Sequence, residues 1–292
     1  MLAKEILQKV RKIQLKVSKL STDVVSGHYL SAFKGSGIEF DEVQEYIPGD
    51  DVRAIDWNVT ARTGSPYIKR YVEERELTVV LVVDLSASQR FGTVNTLKSE
   101  LSAEIAALLA FLAINNNDKV ALLIFSDHCE LYLPPQKGRK HVLRVIREIL
   151  AYQPSGVTTN LQEALGFINR VIKHRGIVFI LSDFIATDFE PALKSMTRRH
   201  DVVAISLEDP GEFELLPLGL IELQDSETGE RVLVDTESAA VREVFQRNTL
   251  ARIDRTVKLF NSCKVDYLRV STAKPYINTL QQFFLIREHR IR

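Results

Sequence analysis

A chain of 292 residues in which 38 Lys+Arg balance 38 Asp+Glu, with 45% hydrophobic residues, has the make-up of a soluble globular protein. It lacks the basic footprint of a general nucleic-acid binder, and its length allows one large α/β domain with an appendage, or two small domains. Two cysteines, Cys129 and Cys263, give neither a disulfide framework nor a short-spaced metal-ligand pair, which points to a reducing compartment. The start, Met1-Leu2-Ala3-Lys4-Glu5, has no apolar signal core. The longest apolar run, Ile105 to Ile114, is too short to span a bilayer. The expected location is the cytoplasm, with no membrane span.

In chain order, residues 1–20 place Leu2, Ile6, Val10, Ile13 and Val17 at a helical period, with a lysine-rich face expected to be solvated. Residues 21–66 are punctuated by Gly35, Gly37, Pro48, Gly49, Gly64 and Pro66, and read as loops with short strands. Residues 67–76 read as a strand or helix leading into the main domain. From residue 77 the pattern is regular. Thr78–Asp84 is a continuous apolar run ending in a carboxylate, as in a strand buried on both faces. A helix over Leu97–Ile114 follows, then a strand Lys119–Phe125 with Cys129–Leu133 as its hairpin partner, closed by Pro134-Pro135. Helices over Arg139–Tyr152 and Leu161–His174 precede a buried strand Gly176–Ser182, a helix near Phe189–Arg199 and a strand Asp201–Leu207. Residues 218–234 read as a β-hairpin around Glu227-Thr228-Gly229-Glu230. A long helix Ser238–Phe260, a strand Val265–Val270 and a helix Tyr276–His289 complete the chain. Strands alternating with helices of this length predict an α/β fold, a doubly wound, mostly parallel sheet flanked by helices. The expected division is 1–76, a helix plus a loop-rich region, and 77–292, the main domain with a hairpin insertion near 211–236.

In such a sheet, ligands bind at the carboxyl ends of strands where the strand order reverses. After the first buried strand stands Asp84-Leu85-Ser86-Ala87-Ser88, and after Gly176–Ser182 stands Asp183. In an extended loop, residues two apart project to one side, so Asp84, Ser86 and Ser88 converge. They supply three of the oxygens a hard divalent cation needs, with Thr159 and Asp183 as further donors. The bland alternative is that these side chains are turn or helix caps, with Thr158 or Thr159 capping the helix at Leu161. No general base sits in the motif, which makes it a binding site more than a catalytic one. If Asp84 stands on an open, convex rim, Asp84→Ala should abolish metal and partner binding with little loss of fold.

Upstream, Glu39, Asp41, Glu42, Glu45, Asp50, Asp51 and Asp56 are interleaved with Arg53, Trp57 and Arg62. In the structural reading Gly49-Asp50-Asp51 forms a turn, Asp56 pairs with Arg53 or Arg62, and Trp57 packs against the sheet. Alternatively the acids form a docking surface, or the carboxylates of a metal-dependent hydrolase acting with the same cation. A third alternative is a metal-free structural scaffold. No phosphate-binding Gly-x-x-x-x-Gly-Lys-Ser/Thr loop, nucleophile elbow or zinc-ligand histidine spacing is present, and the consecutive Ser126-Asp127-His128 cannot form a catalytic relay. Gly35-x-Gly37 lacks the third glycine of a dinucleotide fingerprint.

Asp84-x-Ser86-x-Ser88, Thr159 and Asp183 resemble the metal-ion-dependent adhesion site of von Willebrand factor type A domains. The order of elements from 77 to 290 resembles that fold. Upstream, Gly35-Ser36-Gly37-Ile38-Glu39-Phe40, Tyr46, Gly49-Asp50-Asp51-Val52-Arg53, Ile55-Asp56-Trp57 and Thr60-Ala61-Arg62 resemble the signature of the bacterial domain-of-unknown-function 58 family. Gln44 stands where that pattern usually has arginine. The resemblance implies Mg²⁺ or Mn²⁺ at Asp84, Ser86, Ser88, Thr159 and Asp183. It also implies a non-enzymatic interaction module that captures an acidic group of a protein partner. The partner implied is a MoxR-type AAA+ ATPase or its client, in chaperone-like maturation.

Overall fold

The computed structural model describes residues 3–20, 23–33, 38–73, 76–94 and 96–291. They divide into two compact units, one of residues 34–77 and one of residues 1–33 with 78–292.

The chain begins with helices α1 (Ala3–Leu20) and α2 (Asp23–Ala32). Both belong to the larger unit, so the N-terminal helix does not group with residues 34–76 as expected. Helix α2 falls in the stretch read as loops. Its Gly27 and β-branched Val24 and Val25 give it poor intrinsic helicity, and burial of Tyr29, Ala32 and Phe33 compensates.

The smaller unit is built on an antiparallel pair, β1 (Ile38–Glu45) and β2 (Tyr67–Glu73), with a register shift between Phe40 and Glu42. Between them run a 3-10 turn, Val52–Ala54, and helix α3 (Trp57–Thr63). Its acids serve these turns. Asp50 accepts from the Ile47 N–H, Asp51 from the Arg53 N–H, and Asp56 caps α3 by accepting from the Asn58 and Val59 N–H groups. Trp57 is 69% exposed rather than packed on a sheet, because the capped first turn leaves its indole outward. The Gly35-x-Gly37 stretch and the side chains of Glu39, Asp41 and Glu42 lie outside the described residues.

In the larger unit the central sheet has six strands: β3 (Thr78–Asp84), β4 (Lys119–Phe125), β5 (Cys129–Gln136), β6 (Ile177–Ser182), β7 (Asp201–Glu208) and β10 (Asp266–Ser271). Their order is β5-β4-β3-β6-β7-β10, parallel throughout except for β5, which pairs antiparallel with β4 at one edge. This is the doubly wound arrangement, with the strand order reversing between β3 and β6. Strand β5 runs on through Pro134 and Pro135 instead of ending there, as an edge strand allows.

Helices cover both faces. Val80 and Val82 of β3 pack in one cluster with Leu161, Leu165 and Ile168 of α6 (Leu161–Val171), Leu193 and Met196 of α7 (Glu190–Thr197) and Phe260 of α8 (Ala239–Ser262). On the other face lies α4 (Lys98–Asn115), buried nearly all round from Leu101 to Ala113. That burial needs cover beyond the sheet, which α1 and α5 (Arg139–Ala151) supply against α4. Val10 and Ile13 of α1 are buried there, while Lys9 and Lys16 pair with Glu100 and Glu104 of α4, so part of the lysine face is ion-paired. Helix α9 (Tyr276–Ile291) packs on α2, with Phe284 edge-on to Tyr29 and Phe33. Arg287 stacks over Phe33 at 4.4 Å, donates to the Ala32 carbonyl and pairs with Asp201 and Asp266 at the starts of β7 and β10. A hairpin of β8 (Leu220–Gln224) and β9 (Arg231–Asp235) occupies the expected insertion. Among the described residues, no helix is long and apolar enough to cross a membrane.

Candidate functional site

Asp84 ends β3 and Ser182 ends β6, the two strands flanking the reversal, so their side chains meet at the carboxyl edge of the sheet. The Asp84 carboxylate is fully buried. It accepts from the Ser86 N–H at 2.9 Å and from the Ser182 hydroxyl at 2.6 Å. The expected open rim is therefore absent at this residue. Asp84→Ala would strand a buried hydroxyl and a buried N–H at a cost of about 1–3 kcal/mol, so Asp84→Asn is the cleaner probe. Burial and then the nearby Asp183 push the Asp84 carboxyl up to about 7, against the opposing hydrogen bonds from Ser182 and Ser86.

Ser86 is buried at the start of the 3-10 turn Ala87–Arg90 but makes no side-chain capping bond. Its hydroxyl lies 3.1 Å from that of Ser88. Thr159 comes from the loop before α6. The cap of α6 is Asn160, whose side chain accepts from the Glu163 N–H at 3.0 Å, so neither Thr158 nor Thr159 does that work. Thr158 is exposed, whereas Thr159 is half-buried and its hydroxyl donates to the Glu227 carboxylate at 2.6 Å. The loop is tied to the sheet edge by Ala87 N–H to the Val157 carbonyl (2.9 Å) and Asn160 N–H to the Ser126 carbonyl (2.7 Å). Glu130 of β5 anchors it further by accepting from Gly156 N–H at 2.8 Å and from the Ser126 and Ser155 hydroxyls. Burial would raise the Glu130 carboxyl, but these donors and the neighbouring His128 hold it at about 2.

Asp183 follows Ser182 directly. One of its oxygens accepts from the Ile185 N–H at 3.2 Å, the local turn role, and the other from the Lys98 ammonium at 2.8 Å. Lys98 begins α4 with no solvent exposure and also donates to Glu212 at 2.5 Å. Burial alone would lower its basicity. Asp183 and Glu212 more than offset this and keep it a cation.

The donor set fits a hard divalent cation. It consists of carboxylate and hydroxyl oxygens only, without sulfur or imidazole. Two oxygens each about 2.1 Å from an octahedral ion lie about 3.0 Å apart, and the Ser86 and Ser88 hydroxyls are so spaced. The charge fits too. Lys98 is one cation beside Asp84, Asp183 and Glu212, leaving an acidic excess. Lys98, Glu212 and Glu130 were not singled out from the sequence, and Ser182 and Glu227 were read only as a strand end and part of a hairpin turn. Lys98 alone left a signal, as the cation opening a helix whose other charges are Glu100 and Glu104. The others belong to the site through contacts between residues far apart in the chain, such as the 98-residue separation of Asp84 and Ser182. A second group, Asp127, His128 and Glu130, brings ligating atoms within 4.8 Å of one another, but it is internally hydrogen-bonded and serves to hold the Ser155–Asn160 loop.

The fold and this edge define an α/β protein with a doubly wound sheet and an oxygen-lined site at its switch point. The chain belongs to the family described as protein of unknown function DUF58, whose model matches residues 42–255. It is 32% identical over 281 residues to the uncharacterized protein Rv1480 of Mycobacterium tuberculosis, covering 95% of this chain and 88% of that one. Two solved structures are similar at lower levels. An aerotolerance-related membrane protein from Bacteroides fragilis has a TM-score of 0.49 and 15% identity, over 73% of this chain and 99% of that one. A von Willebrand factor type A protein from Catenulispora acidiphila has a TM-score of 0.40 and 9% identity, over 75% and 43%. At these scores the likeness adds nothing to the topology described above.

Proposed function

We propose that the larger unit is a metal-dependent protein-interaction module. Asp84, Ser86, Ser88, Thr159 and Asp183 would hold Mg²⁺ or Mn²⁺, and the ion would supply Lewis acidity toward an acidic group of a partner. The observation that carries this reading is the convergence, at the switch point, of a buried carboxylate with two hydroxyls 3.1 Å apart beside a second carboxylate. Neutral serine and threonine hydroxyls leave the cation short of negative charge, which favours a carboxylate from outside. The family resemblance points to a MoxR-type AAA+ ATPase or its client as the partner, in chaperone-like maturation. Among the described acids of the smaller unit, Asp50, Asp51 and Asp56 are engaged with backbone N–H groups of their own turns, which does not favour the hydrolase reading.

Calorimetric titration of Mg²⁺ and Mn²⁺ into metal-free protein tests this. One saturable site, lost in Asp84→Asn with the melting temperature retained, is the expected result. Absence of binding, or binding that survives Asp84→Asn, would overturn it. Capture of the ATPase with and without chelator then tests the partner.

A further inference from the structure

The tip of the β8–β9 hairpin lines a space shared with Ser88 and hydrogen-bonds to the site through Glu227. Residues 224–226 and 228–230 are exposed, while Glu227 between them is half-buried. Its carboxylate accepts the Thr159 hydroxyl at 2.6 Å, across 68 residues of sequence. The tip is built to present it. Asp225 accepts from the N–H groups of both Glu227 and Thr228 at 2.8 Å, and its own N–H donates to the Glu230 carbonyl at 2.8 Å. Gly229 adopts φ +74°, which closes the turn at little cost in strain. Below the tip lies a cavity of about 360 Å³ lined by Ser88, Ile185, Glu212, Glu227 and Arg252, so the hairpin acid and a site serine face the same space.

We infer that Glu227 is an internal ligand of the cation site: the acidic group that such a site draws from a partner is supplied here by the chain's own hairpin. The inference rests on the metal reading above and adds a sixth residue to the set. A carboxylate already hydrogen-bonded to one donor of the site needs no translational ordering to reach the ion, so it precedes any external acid in occupying that position. A partner's carboxylate then engages by displacing Glu227, and the hairpin sets the threshold for binding.

Mn²⁺ is the probe. Its affinity is measured by calorimetry, and its count of exchangeable water ligands by water-proton relaxation, for the wild-type chain, Glu227→Gln, Glu230→Gln and Asp84→Asn. Glu230 is exposed on the same hairpin and carries the same charge, so Glu230→Gln reports the general field effect. The expected result is that Glu227→Gln weakens Mn²⁺ about tenfold and adds one exchangeable water, while Glu230→Gln stays within about twofold of wild type. Amide exchange over residues 220–235 should slow on adding Mn²⁺ to the wild type and not to Glu227→Gln. If Glu227→Gln matches the wild type in affinity and water count while Asp84→Asn abolishes binding, the internal ligand is wrong and the metal site stands. Equal weakening in Glu227→Gln and Glu230→Gln likewise overturns it. If the wild type binds no Mn²⁺, both readings fall together.

Discussion

Replacing Lys98 with methionine keeps the apolar stem but removes the charge that Asp183 and Glu212 share. Truncating one member of a buried ionic group leaves the others uncompensated, so Lys98→Met should lose about 3–5 kcal/mol in urea denaturation, and adding Glu212→Gln should recover part of it. Glu130 makes the corresponding case for pH. Its folded carboxyl titrates at about 2, below the unfolded value of about 4.3. The stability it contributes is thus complete above about pH 5 and is lost as pH falls through about 2. The stability gap between the wild type and Glu130→Gln should narrow between pH 4 and pH 2. A gap that widens across that range would contradict this assignment.

The loop between α5 and α6 depends on close approach to the sheet edge. A Cβ on Gly156 would meet the Asp127 carboxylate at 2.1 Å and the Ser126 hydroxyl at 2.3 Å. Gly156→Ala should therefore push the loop outward, cost about 1–3 kcal/mol and lower divalent affinity through Thr159, read by urea denaturation and Mn²⁺ titration. Element by element, legibility in the sequence followed burial. Thr78–Asp84 and Lys119–Phe125 match β3 and β4 residue for residue, because strands covered on both faces are uninterrupted apolar runs. Helix α2 was not legible, since its stability comes from aromatic contacts with residues some 250 positions later. The carboxylates at the strand ends were legible from Asp84 and Asp183. Their environment was not, because the burial of Asp84 depends on Ser182, and the neutralisation of Asp183 on Lys98.

Within the larger unit, α2 and α9 meet although some 250 residues separate them. Tyr29 and Phe33 of α2 pack on Phe284 of α9, and Arg287 ties the Ala32 carbonyl to Asp201 and Asp266. Phe284 is fully buried, so Phe284→Ala should cost about 3–5 kcal/mol, and amide exchange in α2 should accelerate together with that in α9. Equal protection of α2 in the variant would show that the helices hold independently. The doubly wound sheet was expected from the alternation of strands and helices, whereas the place of the first 33 residues was not, since α1 finds its partners in α4 and α5 and α2 in α9, all beyond residue 77. That separation bears on synthesis. Strands β3, β4 and β6 can pair while later residues are still being added, and Phe179 of β6 then offers its ring to Phe33, but the edge-on contacts of Tyr29 and Phe33 with Phe284 wait until α9 is made. The apolar face of α2 is thus only partly covered until α9 is made, and that helix is what completes its cover.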